Sequence, residues 1–212
     1  MKARPWVIGI AGPSCSGKTS LAIRLEERLP GAVCLLQIDD YYRDLSHLPF
    51  EERCRRNFDA PDAIDDDLLV RQVRSLIEGT SVERPIYRFE THTRAPETCF
   101  VAPAPFLVIE GLFTLYWRTL RELLDCSVFI TAPDAVCLER RKRRDVEERG
   151  RSVAFVLAQY AETVRPMYEE FVAPTIGYAD LVIDGEASIE ENCTAVLRCI
   201  QRRGPAEKEQ GS

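Results

Sequence analysis

Residues Gly12 to Thr19 follow the pattern G-x-x-x-x-G-K-[ST], which constrains the fold of this chain more than any other segment. An apolar run, Trp6 to Ile10, precedes them, and a stretch with helical character, Thr19 to Leu29, follows. In this strand, loop and helix setting, the N–H groups of the loop point at one anion and the helix adds its positive dipole end. The pattern is a P-loop, and it predicts that the chain binds a nucleoside triphosphate.

Within the loop, Lys18 is expected to reach the outer phosphates, and Thr19 is expected to offer its hydroxyl to Mg²⁺. The residues predicted to contact the phosphates of ATP or GTP here are Gly12, Ser14, Cys15, Ser16, Gly17, Lys18, Thr19 and Ser20. The acceptor of the phosphoryl group must be inferred from other segments.

Composition limits the remaining choices. With 212 residues and 45% hydrophobic content, the chain is long enough for one well-buried domain, predicted over 1–203 with a mobile insert. A net charge of −6 argues against a general nucleic-acid or membrane-surface binder. The polar residues 204–212 are expected to form a disordered tail.

The 8 cysteines are scattered and form no C-x-x-C pair. They are expected to be mostly buried thiols of a protein in a reducing compartment. No apolar run reaches the roughly 18 residues of a membrane span. Together these observations favour a cytoplasmic protein without membrane or nucleic-acid partners.

Short apolar runs alternate with segments of helical spacing, which indicates an α/β fold with a parallel sheet. The predicted strands are Trp6 to Ile10, Val33 to Ile38, Phe106 to Ile109, Ser127 to Thr131 and Leu181 to Ile183. Leucine spacing predicts one helix from Leu68 to Ile77, ending at Gly79, and favours another over 115–124. Two extended pieces between Val82 and Pro105 predict a projecting β-hairpin.

Acidic residues follow two of the predicted strands. Asp39 and Asp40 come after the second strand, at the carboxyl edge of the sheet where α/β folds bind ligands. One of them is expected to accept the proton of an attacking hydroxyl or to hold Mg²⁺, although a turn or helix cap would also favour aspartate. Glu110 ends an apolar strand and is expected to orient the Mg²⁺ shell, with helix capping as the alternative.

The segment Arg140 to Arg151 is strongly basic in an otherwise acidic chain. On a helix Arg140, Arg141 and Arg144 share one face, and converging guanidiniums can neutralise a phosphoryl group beneath a closing lid. Two alternatives stay open from spacing alone. The cluster could be a solvated face paired with nearby acids, including Asp145, or it could be a nucleic-acid patch.

At this point the chain resembles the uridine/cytidine kinases, a family of P-loop enzymes that phosphorylate the 5′-hydroxyl of pyrimidine ribonucleosides. The resemblance runs from about Val7 to about Asp184. Beyond the P-loop it rests on Asp39 to Arg43, Asn57 to Ala63, Pro85 to Arg94, Ile109 to Gly111, Arg140 to Arg151, Gln159-Tyr160, Pro166, Pro174-Thr175 and Ala179-Asp180. It implies a P-loop NTPase-type doubly wound sheet flanked by helices, with a hairpin over the acceptor base and a lid over 138–152.

The resemblance also implies roles for individual residues. Asp39 would be the general base, with Lys18 and Arg144 also catalytic and with Thr19, Glu110 and Asp39 near Mg²⁺. Arg144 and Arg149 would grip the ATP phosphates. The acceptor would be held by Asp39, Tyr42, Asp59, Tyr87, His92, Arg141, Arg151 and Gln159. By resemblance the protein would also form a homo-oligomer, a tetramer.

The sequence departs from the family pattern at two positions. Ala60 stands where the family usually has histidine, and Arg88 stands where an acid usually follows the tyrosine. Catalysis is expected to survive both changes, with an effect on base preference. The alternative function is a kinase of another small hydroxyl compound, such as nicotinamide riboside. A GTP-dependent switch is disfavoured because the sequence has no N-K-x-D stretch.

Overall fold

The structure is a computed structural model, and it describes residues 4–203. The tail expected over 204–212 lies outside this range. The strands and α-helices are, in chain order, β1 (Trp6–Ala11), α1 (Lys18–Arg28), β2 (Val33–Gln37), α2 (Phe50–Cys54), α3 (Asp66–Ile77), β3 (Val82–Arg88), β4 (Thr93–Val101), β5 (Phe106–Glu110), α4 (Arg118–Arg121), β6 (Cys126–Thr131), α5 (Asp134–Glu147), α6 (Val153–Gln159), α7 (Arg165–Met167), β7 (Leu181–Asp184) and α8 (Ile189–Arg203).

Five strands form one parallel sheet in the order β2-β5-β1-β6-β7. The predicted apolar runs are these five strands, so the parallel α/β fold is confirmed. Because β1 lies in the middle, the P-loop that follows it emerges at the centre of the carboxyl edge. β5 lies next to β1 and β2 lies next to β5, which brings the two acidic strand ends close to the loop.

Helices cover both faces of the sheet, which explains why its strands are apolar on both sides. Successive residues of a strand point to opposite faces. Val7 therefore packs into a core shared with α3 and the hairpin, while Ile8 packs into a second core shared with α1 and α8. Both residues are fully buried.

The helix predicted from the leucine spacing is α3, and it follows familiar rules at both ends. Asp65 caps its start by accepting a hydrogen bond from the Leu68 N–H at 3.2 Å. Leu69, Val73 and Leu76 face the core. The helix ends before Gly79, whose φ of 87° suits glycine.

Strands β3 and β4 form an antiparallel hairpin, as predicted, and make a two-stranded sheet of their own. Side chains tie this hairpin to the turn that follows β2. Arg84 pairs with Asp40, and the Arg94 guanidinium donates to the carbonyl oxygens of Tyr41 and Tyr42 at 3.1 Å and 2.8 Å. The hairpin is therefore held over the carboxyl edge of the main sheet.

The prediction of a helix over 115–124 is mostly wrong, because only Arg118–Arg121 is helical. Phe113 and Leu115 are buried in an irregular turn just before it. The Thr114 hydroxyl lies 3.1 Å from the Ile10 carbonyl oxygen and 3.0 Å from that of Gly111, which fixes this turn against β1. Tertiary burial thus overrides the helical spacing of the leucines.

All 8 cysteines are free. Four are buried, at positions 34, 126, 137 and 193, while Cys54 is exposed and the remainder are partly exposed. The expectation of buried thiols therefore holds for half of them. Over residues 4–203, no helix combines the length and the apolar character needed to cross a membrane.

Candidate functional site

The P-loop curls tightly between β1 and α1. Gly12 has a φ of 146°, and a Cβ atom added there would lie 2.4 Å from the Ile130 carbonyl oxygen, so only glycine fits. The buried Lys18 amine donates to the carbonyl oxygens of Gly12 at 3.0 Å and Pro13 at 2.7 Å. Burial lowers the pKa of Lys18, while the charges of Glu110 and Asp39 oppose this shift.

Two acids from neighbouring strands approach the loop. Glu110 ends β5, and its Oε1 accepts a hydrogen bond from the Thr19 hydroxyl at 2.8 Å. Asp39 lies in the 3₁₀ turn Ile38–Tyr41 after β2 and lines the same cavity. Burial raises the pKa of both carboxyl groups, and the Lys18 charge counteracts it. Asp40 instead pairs with Arg84 on the hairpin, so Asp39 is the member of the pair that faces the loop.

An aromatic wall, formed by Tyr42, Phe58, Tyr87, Phe89 and His92, closes the other end of the cavity. The His92 ring stacks on Phe58 with centroids 4.5 Å apart, and Tyr42 contacts Tyr87 with centroids 5.0 Å apart. The Tyr42 hydroxyl donates to the Phe58 carbonyl oxygen at 3.0 Å, so Tyr42 supports the wall.

Two polar atoms of this wall are buried without a hydrogen-bond partner in the described part of the chain. They are the Tyr87 hydroxyl and His92 Nδ1. Burial, Arg151 and Arg53 lower the pKa of His92, which favours the neutral ring. His92 also has a φ of 54°, in the left-handed region that residues other than glycine rarely adopt. Such buried, unpaired groups are the expected features of a ligand site.

The buried carboxylate of Asp59 lies between the wall and the helical segment after α6. Thr163 Oγ1 lies 3.0 Å from Asp59 Oδ2 and anchors it to this segment. Nothing in the local sequence around Thr163 indicated this contact, because it depends on how the π-helical turn Tyr160–Val164 packs.

The arginine-rich segment forms α5 and the loop after it, and it divides into two faces. Lys142 and Arg143 pair with Glu139 and Glu147 in solvent, at 2.6 Å and 3.9 Å. Arg140, Arg141 and Arg144 face the cavity. The solvated-face alternative therefore describes one face of this helix, while the other face lines the cavity, and closure of this segment as a lid stays a prediction.

Arginines on the cavity side of this segment contact the P-loop, Gln159 and the hairpin. Arg141 donates to Ser14 Oγ at 3.0 Å and to Gln159 Oε1 at 3.1 Å. Arg151 donates to the same Gln159 oxygen at 3.1 Å. The Arg149 guanidinium lies 4.7 Å from the centre of the Phe89 ring. These contacts join the arginine-rich segment to the P-loop and to the hairpin.

One cavity of about 480 Å³ contains nearly all of the predicted site residues, a size typical of small-molecule sites. Gly12 is not among the lining residues, but its backbone conformation shapes the loop. Sequence reasoning missed Phe58 and Phe89 as wall residues, Thr163 as the partner of Asp59, and the burial of Asp145 among the arginines. Helical spacing alone had suggested a solvated ion pair for Asp145.

A P-loop at the centre of a parallel sheet, two acids beside it and an arginine-rich helix across it define the P-loop kinase class of proteins. A sequence profile of the phosphoribulokinase / uridine kinase family matches residues 7–190. The chain belongs to this family.

Individual relatives agree with this assignment. The uridine kinase of Ligilactobacillus salivarius is 40% identical over 205 residues, which cover 94% of this chain and 96% of the relative. The uridine kinase of Chloroflexus aurantiacus is 46% identical over 187 residues, covering 87% and 89%. D-glycerate 3-kinase from Cryptococcus neoformans is 18% identical with a TM-score of 0.65, covers 87% of this chain and 88% of its own, and supports the fold alone.

Proposed function

We propose that this protein transfers the γ-phosphoryl group of ATP to the 5′-hydroxyl of uridine, cytidine or both. The observation that carries the proposal is a single cavity with Lys18 and Thr19 at one end and the unpaired Tyr87 hydroxyl and His92 Nδ1 at the other. Asp39 lines the same cavity. The two relatives at 40% and 46% identity are uridine kinases, which supports a pyrimidine nucleoside as the acceptor.

In this mechanism the 5′-oxygen of the nucleoside attacks the γ-phosphorus, and the bond to the β,γ-bridging oxygen breaks to release ADP. Asp39 accepts the proton of the hydroxyl, and burial has already raised its pKa toward that of a useful base. Lys18, Arg144 and Arg149 balance the charge of the phosphates. Positioning and charge neutralisation are most of what a protein contributes to phosphoryl transfer.

The donor atoms suit a magnesium ion. The described residues contain no group of three or more acidic, histidine or cysteine side chains able to hold a metal by themselves. Mg²⁺ fits this arrangement, because it commonly binds one or two carboxylates together with substrate phosphates. Thr19, Glu110 and Asp39 would hold it, and the ion would neutralise phosphate charge during transfer.

At the acceptor end, the neutral His92 and Tyr87 would hydrogen-bond the polar edge of the pyrimidine. Asp59, Arg141, Arg151 and Gln159 would hold the ribose hydroxyls. A deoxyribose would leave some of these buried groups unpaired, so the site should prefer ribose. Arg88, which departs from the family pattern, pairs at 3.2 Å with the exposed Glu97, so its charge lies outside the cavity.

The test is steady-state ADP release with ATP and Mg²⁺ across uridine, cytidine, thymidine, adenosine and nicotinamide riboside. Turnover confined to uridine and cytidine supports the proposal, and turnover of another acceptor alone overturns it. A matched compound locates the reacting atom. 5′-Deoxyuridine should inhibit competitively against uridine and release no ADP, and ADP release with it would contradict transfer to the 5′-hydroxyl.

Three further expectations remain predictions. The donor is proposed to be ATP, the location to be cytoplasmic and the assembly to be a homo-tetramer. Sedimentation of the purified full chain tests the assembly, and replacing ATP with GTP in the uridine assay tests the donor.

A further inference from the structure

Asp145 lies in α5 with no exposed surface, surrounded by guanidinium groups. Four arginines approach its carboxylate within 4.0 Å, and they are Arg141, Arg144, Arg149 and Arg151. All four line the cavity between the P-loop and the aromatic wall, whereas Asp145 does not. The carboxylate is therefore behind the site and contacts it only through arginines.

The two oxygens of Asp145 divide the arginines into two pairs. Oδ1 accepts from Arg144 Nε at 2.9 Å and lies 3.6 Å from Arg149, the two arginines proposed to bind phosphates. Oδ2 accepts from Arg151 at 3.1 Å and lies 3.7 Å from Arg141, the two arginines that also contact Gln159. One carboxylate thus joins the donor side of the lid to its acceptor side.

The backbone strengthens this link. The Arg151 N–H donates to the Asp145 carbonyl oxygen at 3.0 Å, so the turn after α5 closes on the same residue. Between them lies Gly150, whose φ is 62°. Asp145 therefore fixes both the side chains of the cluster and the path of the chain that carries Arg149 and Arg151.

Four like charges in one place repel each other. Burial lowers the pKa of Arg149, and the charges of the neighbouring arginines, Arg144 first, lower it further. Burial would raise the pKa of Asp145, yet Arg144 and Arg141 hold it below its ordinary value. The carboxylate balances one of the four charges and leaves the others for a ligand. The arrangement holds mutually repelling guanidiniums in place without a bound phosphate.

We propose that Asp145 is a positioning residue that orders the lid arginines before ATP binds. This rests on the proposed function, because it assigns Arg144 and Arg149 to the phosphates. Pre-ordering lowers the entropy lost on binding, since the guanidiniums need not be immobilised by the ligand.

The experiment uses the fact that a charge effect and a positioning effect would change the affinity for ATP in opposite directions. Asp145→Asn keeps the shape but removes a negative charge from a site that binds a polyanion. If Asp145 acted only through its charge, a non-hydrolysable ATP analogue with Mg²⁺ would bind more tightly to the variant. If Asp145 positions the arginines, the analogue should bind about 10-fold more weakly in calorimetry, and kcat with uridine should fall as well. Equal or tighter binding would overturn the proposal.

Glu147→Gln is the matched control, because it removes one negative charge from the same helix on the solvent side. Its analogue affinity should stay within about 2-fold of the unsubstituted protein, as expected for an exposed pair. A loss equal to that of Asp145→Asn would show that the loss does not depend on contact with the four arginines, and would contradict positioning.

A double-mutant cycle with Arg144→Gln tests whether Asp145 acts through the arginines. The effect of Asp145→Asn should shrink in the Arg144→Gln background, and equal effects in both backgrounds would overturn the proposal. If Asp145→Asn alone fails to fold by circular dichroism, the double variant, which carries one positive charge fewer, is compared with Arg144→Gln. There too a further loss of affinity is expected from the contacts with Arg149 and Arg151, and no loss would overturn the proposal.

Analogue binding needs no acceptor, which separates this inference from the proposed function. If the unsubstituted protein did not phosphorylate uridine, the acceptor assignment would be refuted. Weaker analogue binding by Asp145→Asn would still support the positioning role in that case.

Discussion

The two ends of the cavity differ in how far their polar groups are already satisfied. At the phosphate end, the Lys18 amine has two carbonyl partners and the Thr19 hydroxyl bonds Glu110. The Ser16 hydroxyl is an exception there, and so is Nε of Arg141, which contacts the loop through Ser14; both are buried without a hydrogen-bond partner in the described residues. At the acceptor end, the Tyr87 hydroxyl and His92 Nδ1 are both buried and unpaired over residues 4–203.

The difference separates two kinds of binding. A phosphate must replace hydrogen bonds that the loop already makes to itself, so the gain at that end is chiefly electrostatic. A nucleoside base at the other end supplies hydrogen bonds that are missing, so each correctly placed polar atom counts strongly. Selectivity for the acceptor should therefore lie in the aromatic wall, and phosphoryl transfer in the loop and the acids.

Asp39 is the proposed base that takes the proton from the acceptor, and its substitution should have the largest effect. Asp39→Asn keeps the side-chain shape but cannot accept the proton, so kcat with uridine should fall by about 10²- to 10⁴-fold. The affinity for an ATP analogue should change little. Steady-state kinetics and calorimetry measure the two quantities.

The neighbouring Asp40 provides the control for this substitution. Asp40→Asn removes the partner of Arg84 and should lower stability while leaving kcat near its original value. Near-normal turnover of Asp39→Asn, or equal losses in the two variants, would refute Asp39 as the base.

Lys18→Ala tests the phosphate end. We expect kcat to fall about 100- to 1000-fold, the range for loss of one charged donor at a transferring group, together with weaker ATP binding. The uridine affinity, measured by calorimetry without ATP, should remain. Lys142→Ala is the control, because Lys142 pairs with Glu139 in solvent. A large loss of uridine binding in Lys18→Ala would erase the distinction between the two ends.

His92→Ala tests the acceptor end. Loss of a buried hydrogen-bonding ring should raise the KM for uridine about 10-fold, with the KM for ATP within about 2-fold. His47, the other histidine of the chain, is exposed, and His47→Ala should change neither value. If His92→Ala altered only the KM for ATP, the hairpin would not read the base.

The pH dependence of uridine binding sharpens the same prediction. Burial and nearby arginines place the pKa of His92 below its ordinary value of 6.5, so the neutral ring is present at pH 7. The KM for uridine should stay constant near neutrality and rise only as the pH falls below 6.5. His92→Ala should abolish this rise, and an unchanged rise would assign it to another group.

Thr163→Val should give the smallest effect. It removes the hydroxyl beside Asp59 and should raise the KM for uridine about 3-fold, while kcat stays near its original value. Thr98→Val, in the exposed part of the hairpin, is the control. If only the KM for ATP changed, the assignment of Asp59 to acceptor binding would be refuted.

Predictability from sequence also differs between the two ends. The loop is one contiguous stretch whose glycines and lysine have fixed spacing, so its conformation could be predicted. The wall combines residues from the turn after β2, the segment around Phe58 and the hairpin. The family resemblance supplied Tyr87 and His92, but their stacking with Phe58 depends on how the hairpin packs.

Elsewhere in the chain, the agreements and differences between the sequence predictions and the structure have similar causes. The apolar strands and α3 were predictable because burial imposes a clear period on their residues. The turn around Phe113 and Leu115 was not, because tertiary burial replaced the helix that the leucine spacing favoured. Thr163 and Asp145 act through contacts with distant or buried partners, for which a local pattern holds no information.

The left-handed backbone at His92 lowers the stability of the fold, whereas the His92 ring is proposed to recognise the acceptor. This conformation costs about 1–2 kcal/mol for a residue with a Cβ atom, and glycine would relieve that strain. Selecting variants of this protein for heat resistance alone should therefore enrich glycine at position 92. These more heat-resistant variants would lose the ring that is proposed to bind the acceptor, so stabilisation at this one position would work against discrimination among nucleosides.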